Sequence, residues 1–228
     1  MLYDSLFLNR DFSKMSEVVV KSNLVYFVNS KMYINLTNLC TCKCLFCIRD
    51  LNPTVEGVDM KLDNSKANPD EVISEIKRLE DRIGNEVVFC GYGEPMLELE
   101  SLKKVASFIK TNYPNVKIRV NTNGHANLVH KRDVVPELVG LVDSFSVSLN
   151  VSNAEQYKQV TQCCFDAEVG FNGMQQFVKS AVVNGIKTYV SVVVGYENLD
   201  INVNECEKIA TSLGAILRVR EYLNEGYS

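Results

Sequence analysis

Apolar residues fall along this chain in two rhythms that take turns. Short runs rich in β-branched and aromatic residues predict strands at Leu24 to Val28, Met32 to Leu36, Glu86 to Cys90 and Val116 to Val120. Further runs of the same kind lie at Ser144 to Leu149, Thr188 to Val194 and Ile216 to Tyr222. The first two flank the short polar break Asn29-Ser30, which predicts a hairpin. Between the later runs the apolar spacing changes to three and four. Val72, Ile73, Ile76, Leu79 and Ile83 make one helical stripe, and Leu102, Val105, Phe108 and Ile109 another. Phe171, Met174, Phe177, Val178 and Ala181 form a third, and Cys206, Ile209, Ala210 and Leu213 a fourth. Asn68 caps the first stripe, Pro69 suits its opening turn, and Asp70 and Glu71 favour the positive helix end. Gly214 stops the last.

Strand and helix in alternation predict a parallel sheet with right-handed crossovers. Counting from Met32 there are six main strands, too few for an eight-stranded barrel. The pattern fits an open doubly wound sheet or a partial barrel, and periodicity does not choose between them. No Pro-, Gly- or Ser-rich linker interrupts it, so residues 1–228 are expected to form one domain.

Composition narrows the class. The 228 residues are 46% hydrophobic and 23% charged, the balance of a globular protein. The net charge of −4 argues against a generally basic nucleic-acid binder, though not against a local patch. No apolar run is long enough to span a bilayer. The opening segment, with Asp4, Arg10, Asp11 and Lys14, has no signal-peptide core, so the expected location is cytoplasmic. In a reducing cytosol eight cysteines call for chemistry other than disulfides.

Four of those cysteines stand within Cys40-Thr41-Cys42-Lys43-Cys44-Leu45-Phe46-Cys47. The segment follows a strand, where active sites of parallel α/β folds collect. A closed zinc site wants four nitrogen or sulfur ligands, usually in two pairs. No second C-x-x-C follows, and the only histidines are His125 and His130, both expected at the surface or in loops, with His125, just after Asn123-Gly124, placed where it could also face the site. Thiolates this dense suit an iron–sulfur cluster, and three protein ligands on four irons leave one iron open.

Cys40-x3-Cys44-x2-Cys47, with Phe46 before the last cysteine, resembles the signature of radical S-adenosylmethionine (SAM) enzymes. Cys90-Gly91-Tyr92-Gly93-Glu94-Pro95 resembles that family's Gly-Gly-Glu-Pro segment, interrupted or displaced by Tyr92. Asn121-Thr122-Asn123-Gly124 and Ser146-Val147-Ser148-Leu149-Asn150 end the next two strands and resemble places where the family holds SAM. The matches occur in family order over about residues 32–222. Tyr33 to Asn38, Cys47-Ile48-Arg49-Asp50 and Arg218-Val219-Arg220-Glu221-Tyr222 add a finer resemblance to the TatD-associated radical SAM proteins.

The resemblance implies a partial (β/α)6 TIM-like barrel with an N-terminal β-hairpin. It implies that Cys40, Cys44 and Cys47 hold a 4Fe–4S cluster whose remaining iron binds SAM, with a flavodoxin or ferredoxin as electron donor. Reductive cleavage of SAM would then yield a 5′-deoxyadenosyl radical that abstracts hydrogen from an unidentified substrate. Cys42 stays a loop thiol. Phe46 is expected to wall the adenine, Gly91, Tyr92, Gly93 and Glu94 to meet the SAM amine, and Thr122, Asn123, Ser148 and Asn150 to meet ribose or carboxylate. The Val193 backbone would edge the adenine, and Arg218 and Arg220, two apart on a strand, would share a face, one or both pointing towards SAM's carboxylate or a substrate anion. Cys90, Cys163, Cys164 and Cys206 make no second cluster motif. The alternatives are a glycyl-radical-type activating enzyme with a protein partner, and a non-catalytic metal-binding module.

Two further features concern the substrate. From Ser101 to Arg132 there is no acidic residue, while Lys103, Lys104, Lys110, Lys117, Arg119, Lys131 and Arg132 all fall there. This is either a solvated face or a patch for an anionic substrate or RNA. Leu51 to Ala67 is long and aperiodic, and is expected to order over SAM or substrate.

Overall fold

The computed structural model describes residues 23–222, apart from 52 and 56. Strands β1 (Val25–Val28) and β2 (Lys31–Ile34) pair antiparallel, with Val28 opposite Lys31. Asn29 and Ser30 both take left-handed φ, 48° and 63°, the requirement of a two-residue turn whose twist matches its strands. After β2 come the one-turn helix α1 (Ile48–Leu51) and the small ribbon β3 (Thr54–Val55) and β4 (Val58–Asp59). The alternation then begins. Helix α2 (Pro69–Arg78) leads to β5 (Glu86–Phe89), and α3 (Leu99–Asn112) to β6 (Lys117–Thr122). Helix α4 (Ala126–His130) precedes β7 (Ser144–Ser148). Helices α5 (Ala154–Thr161) and α6 (Ala167–Val183) precede β8 (Lys187–Val194), and α7 (Val203–Ser212) precedes β9 (Ile216–Glu221).

These strands form one sheet in the order β1-β2-β5-β6-β7-β8-β9, parallel from β2 onward. Each new strand adds to the same edge. A doubly wound sheet reverses its order partway, so this topology is that of the partial barrel. Its edges β1 and β9 do not pair with each other. Asn68 caps α2 by accepting from the Asp70 amide, and Gly214, at φ 72°, follows the end of α7.

Period-two alternation splits the sheet into two faces. Met32, Ile34, Val87, Phe89, Ile118, Val120, Phe145, Val147, Val190 and Val192 are buried and belong to the main core with the helices. The opposite face carries Tyr33, Arg119, Asn121, Ser146, Ser148, Tyr189 and Arg218, in register across neighbouring strands. A polar inner face is unsuited to a second packed layer and suited to holding a ligand.

Three features depend on residues outside the local pattern. Helix α5 was hidden because Ala154, Tyr157, Val160 and Thr161 make a stripe only two turns long. The 51–67 segment is tied down by Val55, Met60 and Leu62, all buried, and by the bridge between Thr37 and Lys66. The basic stretch is neutralised by acids from elsewhere. Lys103 pairs with Glu100 and Glu137, Lys104 with Asp70, Arg132 with Glu137, and Arg119 with Glu86. Lys110 and Lys117 both pair with Asp143. Six of the seven cations of the run are thus paired, mostly with acids that folding brings from other elements.

Candidate active site: the cysteine loop

The cysteine loop leaves the C-terminal end of β2 and is pinned from both sides. Lys43 and Leu45 donate backbone hydrogen bonds to Thr161 and Val160 at the end of α5 (2.9 and 3.0 Å), and Cys164 donates to Thr41 (2.8 Å). Arg49, on α1, reaches back with Nη2 to the Cys42 carbonyl at 2.7 Å and with Nε to Cys47 Sγ at 3.3 Å. Its guanidinium lies 5.7 Å from the Tyr92 ring centre. All four loop cysteines are free thiols.

The four differ in environment. Cys42 is buried, while Cys40, Cys44 and Cys47 are partly exposed. Cys40 Sγ accepts from the Cys42 amide at 3.4 Å and faces Asn123 Nδ2 at 3.7 Å. The Cys42 thiol hydrogen bond, outweighing burial, holds the Cys40 thiol down to about 6, with help from the Arg49 charge. Hydrogen bonds with Cys40 and Cys44, followed by burial, push the Cys42 thiol up. The loop therefore favours a thiolate at Cys40 and a protonated thiol at Cys42. Burial raises the Cys47 thiol, against the opposing pull of Arg49.

The turn after β5 is built against this loop. Glu94 donates its amide to the Leu39 carbonyl at 2.8 Å. A Cβ on Gly93 would stand 2.3 Å from the Leu39 carbonyl oxygen and 2.5 Å from that of Thr37. Gly91 faces Asn35 in the same way, at 2.1 Å from Oδ1. The buried Asn35 accepts from the Tyr92 amide (3.1 Å) and donates to the Met60 carbonyl (2.7 Å). Both glycines are thus demanded by the chain's own close approach.

Glu94 is buried and occupied. Oε1 accepts from the Thr122 hydroxyl at 2.7 Å and the Met96 amide at 3.1 Å, and Oε2 from the Asn123 amide at 2.7 Å. Burial pushes its carboxyl up to about 8, with the Cys40 charge adding to this against the three donors. Asn123 continues the chain, since its Nδ2 donates to Thr41 Oγ1 at 2.8 Å. The two glycines, Glu94, Thr122 and Asn123 therefore bind the ends of β5 and β6 to the cysteine loop.

His125 corrects the expectation of a surface residue. It is 0% exposed, with Nδ1 3.0 Å from Thr41 Oγ1 and Nε2 3.0 Å from the Tyr157 hydroxyl. Burial lowers it to about 4, so it stays neutral. His125, Tyr157, Thr41, Asn35 and Arg49 are the residues that motif reasoning missed as supports. Except for Arg49, whose place two residues after Cys47 was a usable signal, they meet partners that lie far off in sequence.

The remaining candidates line the strand ends. Phe46 is half-buried and meets Tyr196 edge-on at 5.9 Å, and Tyr196 meets Tyr222 at 4.8 Å. These rings carry the loop after β2 across to the ends of β8 and β9. Ser148 is half-buried beside Ser191. Asn150 is 2% exposed at φ 64°, and its Oδ1 has no hydrogen-bond partner. Val193 is buried in register with Arg220. Arg218 and Arg220 are exposed on the same strand, and Arg218 lies 3.4 Å from the Tyr189 ring centre. Cys163 and Cys206 are buried, Cys90 is half-buried and Cys164 is exposed.

Comparison with known proteins gives the family and agrees with the fold. Residues 34–202 match the radical SAM superfamily, and the chain belongs to that superfamily. Its members use a 4Fe–4S cluster and SAM. An uncharacterised protein of Methanocaldococcus jannaschii is 26% identical over 129 residues, covering 56% of this chain and 37% of its own length. Streptococcus suis SuiB bound to the precursor peptide SuiA superposes with a TM-score of 0.62 at 14% identity, over 84% of this chain and 39% of that one. Native anSMEcpe with bound AdoMet gives a TM-score of 0.61 at 19% identity, over 84% of this chain and 50% of that one. The chain thus spans between about a third and a half of these relatives.

Proposed function

We propose that this protein is a radical SAM enzyme, with its core over about residues 32–222 in one domain. Within the superfamily, the motifs around the cysteines, the Gly-Glu-Pro turn and β9 support the TatD-associated group. The observation that carries the reading is the three-cysteine loop, presented at the strand ends and braced by Arg49 and Asn123.

The donor set fits the cofactors. Cys40, Cys44 and Cys47 are partly exposed, with Arg49 beside Cys40 and Cys47 favouring their thiolates, while Cys42 is withdrawn. Among the described residues no three such side chains converge on one ion. Ligands of a polynuclear cluster instead stand apart, because each takes its own iron. The orphaned Asn150 Oδ1 lacks a donor, and a ribose hydroxyl of SAM is one. The group supplies one-electron reductive cleavage of SAM to methionine and a 5′-deoxyadenosyl radical.

The chain's own contribution is to bind and shield. Arg49 balances the negative charge of the loop thiolates. Glu94, with its acceptors filled by Thr122, Met96 and Asn123, holds the turn whose backbone faces the SAM amine. Phe46 offers a ring face to adenine, and the Phe46-Tyr196-Tyr222 contacts exclude water at the mouth. Thr122, Ser148, Asn150 and Val193 complete the wall. The electron comes from a flavodoxin or ferredoxin.

Anaerobic reconstitution tests this. Four irons and four sulfides per chain, with 5′-deoxyadenosine formed from SAM under dithionite, are the expected results. Stoichiometric zinc without sulfide, or a cluster that leaves SAM intact, overturns the reading.

A further inference from the structure

The inner face of the sheet bears two kinds of basic side chain. Those on β2 and β6 are matched: Lys31 and Arg119 share Glu86, and Lys117 meets Asp143. On β8 and β9 the pattern differs. Lys187, Arg218 and Arg220 form no ion pair among the described residues. By register they share one face, since Arg218 stands opposite Ser191 and Arg220 opposite Val193, and Lys187 has the same parity. At ~3.3 Å per residue this column rises about 20 Å along the open wall, ending at the strand ends where the cysteine loop sits. Tyr189 lies within it, 5.3 Å from Lys187 Nζ and 3.4 Å from the Arg218 guanidinium carbon.

The chain as a whole carries a net charge of −4, so three unmatched cations in one column are not the background charge of this protein. Arg218 is held in place by the ring it stacks on, which lowers the entropy lost when its planar fork takes an oxyanion. The Lys187 hydrogen bond, followed by burial in opposition and the charges of Lys187 and Arg218, holds the Tyr189 phenol below its usual range.

We infer that Lys187, Arg218 and Arg220 form the docking wall for a phosphate-bearing substrate. A single carboxylate is satisfied by one guanidinium fork, whereas cations repeated along a wall match a ligand with successive anionic groups. This rests on the radical SAM reading above and names the substrate class of that site.

The test uses reconstituted protein and inorganic pyrophosphate as the probe, followed by calorimetry, with citrate as the carboxylate probe. Pyrophosphate is expected to bind more tightly than citrate, and R218Q and R220Q should each weaken it at least ten-fold. K179Q, on the exposed side of α6, should not. Circular dichroism melts of all variants report folding. SAM affinity should be unchanged in R218Q and R220Q. No measurable pyrophosphate binding, equal binding in all variants, or tighter citrate binding overturns the proposal. So does a loss of SAM affinity in R220Q, which would assign that residue to the cofactor. Protein that cleaves SAM but does not bind pyrophosphate sinks this inference alone. Protein that binds pyrophosphate but never cleaves SAM sinks the functional reading alone.

Discussion

Arg49 donates from Nε to the Sγ of Cys47 at 3.3 Å, and the two residues are separated in sequence only by Ile48. The one-turn helix α1 places the guanidinium back over the loop it has just left, where Nη2 also holds the Cys42 carbonyl. Arg49→Gln is expected to make the reconstituted cluster about 10–100-fold easier to strip with a chelator, the usual cost of losing an outer partner of a metal ligand. Its reduction potential should fall, because a nearby cation favours the more negative reduced state. Arg49→Lys keeps the charge without the fork and should retain the potential better than the chelator resistance. A redox titration followed by electron paramagnetic resonance checks both. An unchanged potential in the Gln variant would refute the electrostatic role.

Cys42 and Cys44 are expected to part company on substitution. Cys42→Ala removes a buried thiol that lies 3.8 Å from His125 Nδ1, and should leave the cluster absorption largely intact. Cys40→Ala, Cys44→Ala and Cys47→Ala should each abolish it together with SAM cleavage. Visible absorption of the anaerobically reconstituted variants decides, and loss only in Cys42→Ala would reverse the ligand assignment.

Gly93 bears on stability before it bears on SAM. Its missing Cβ leaves room for the carbonyls of Leu39 and Thr37, so any side chain must push the cysteine loop away. Gly93→Ala is expected to cost about 1–3 kcal/mol, the usual range for forced overpacking. Urea denaturation of the protein without cofactors should show it. A wild-type midpoint in the variant, with weakened SAM binding, would return the glycine to a purely ligand-facing role.

Asp143 predicts an acid limb in the stability curve. Burial pushes its carboxyl up, but hydrogen bonds from Lys110, the Ile118 amide and Lys117 outweigh this and hold it below the usual carboxylate range. A carboxyl lowered by folding contributes stability that is complete above its unfolded value near ~3.9 and is lost as pH falls through its folded value. Asp143→Asn should therefore destabilise the protein at pH 7 and converge on the wild type at strongly acidic pH. Thermal melts across that range check the sign. A constant difference at every pH would show that the loss is one of packing.

The sequence alone determined most of the architecture and the chemistry of the cysteine loop. All seven strands of the main sheet and four of the helices follow from local periodicity, because alternation and three-to-four spacing are properties of neighbouring residues. The thiols of Cys40, Cys44 and Cys47 are likewise neighbours along the chain. Tertiary structure decided what depends on residues far apart. Strand order excluded the doubly wound sheet, which the same periodicity allows. Glu86, Asp143 and Glu137 cancelled a basic run that contains no acid of its own. The burial of His125 depends on Tyr157, and the need for glycine at 93 depends on the path of Leu39. The unmatched column at Lys187, Arg218 and Arg220 joins two strands through register. Charge balance and close packing are sums over space, and a chain read in order cannot perform them.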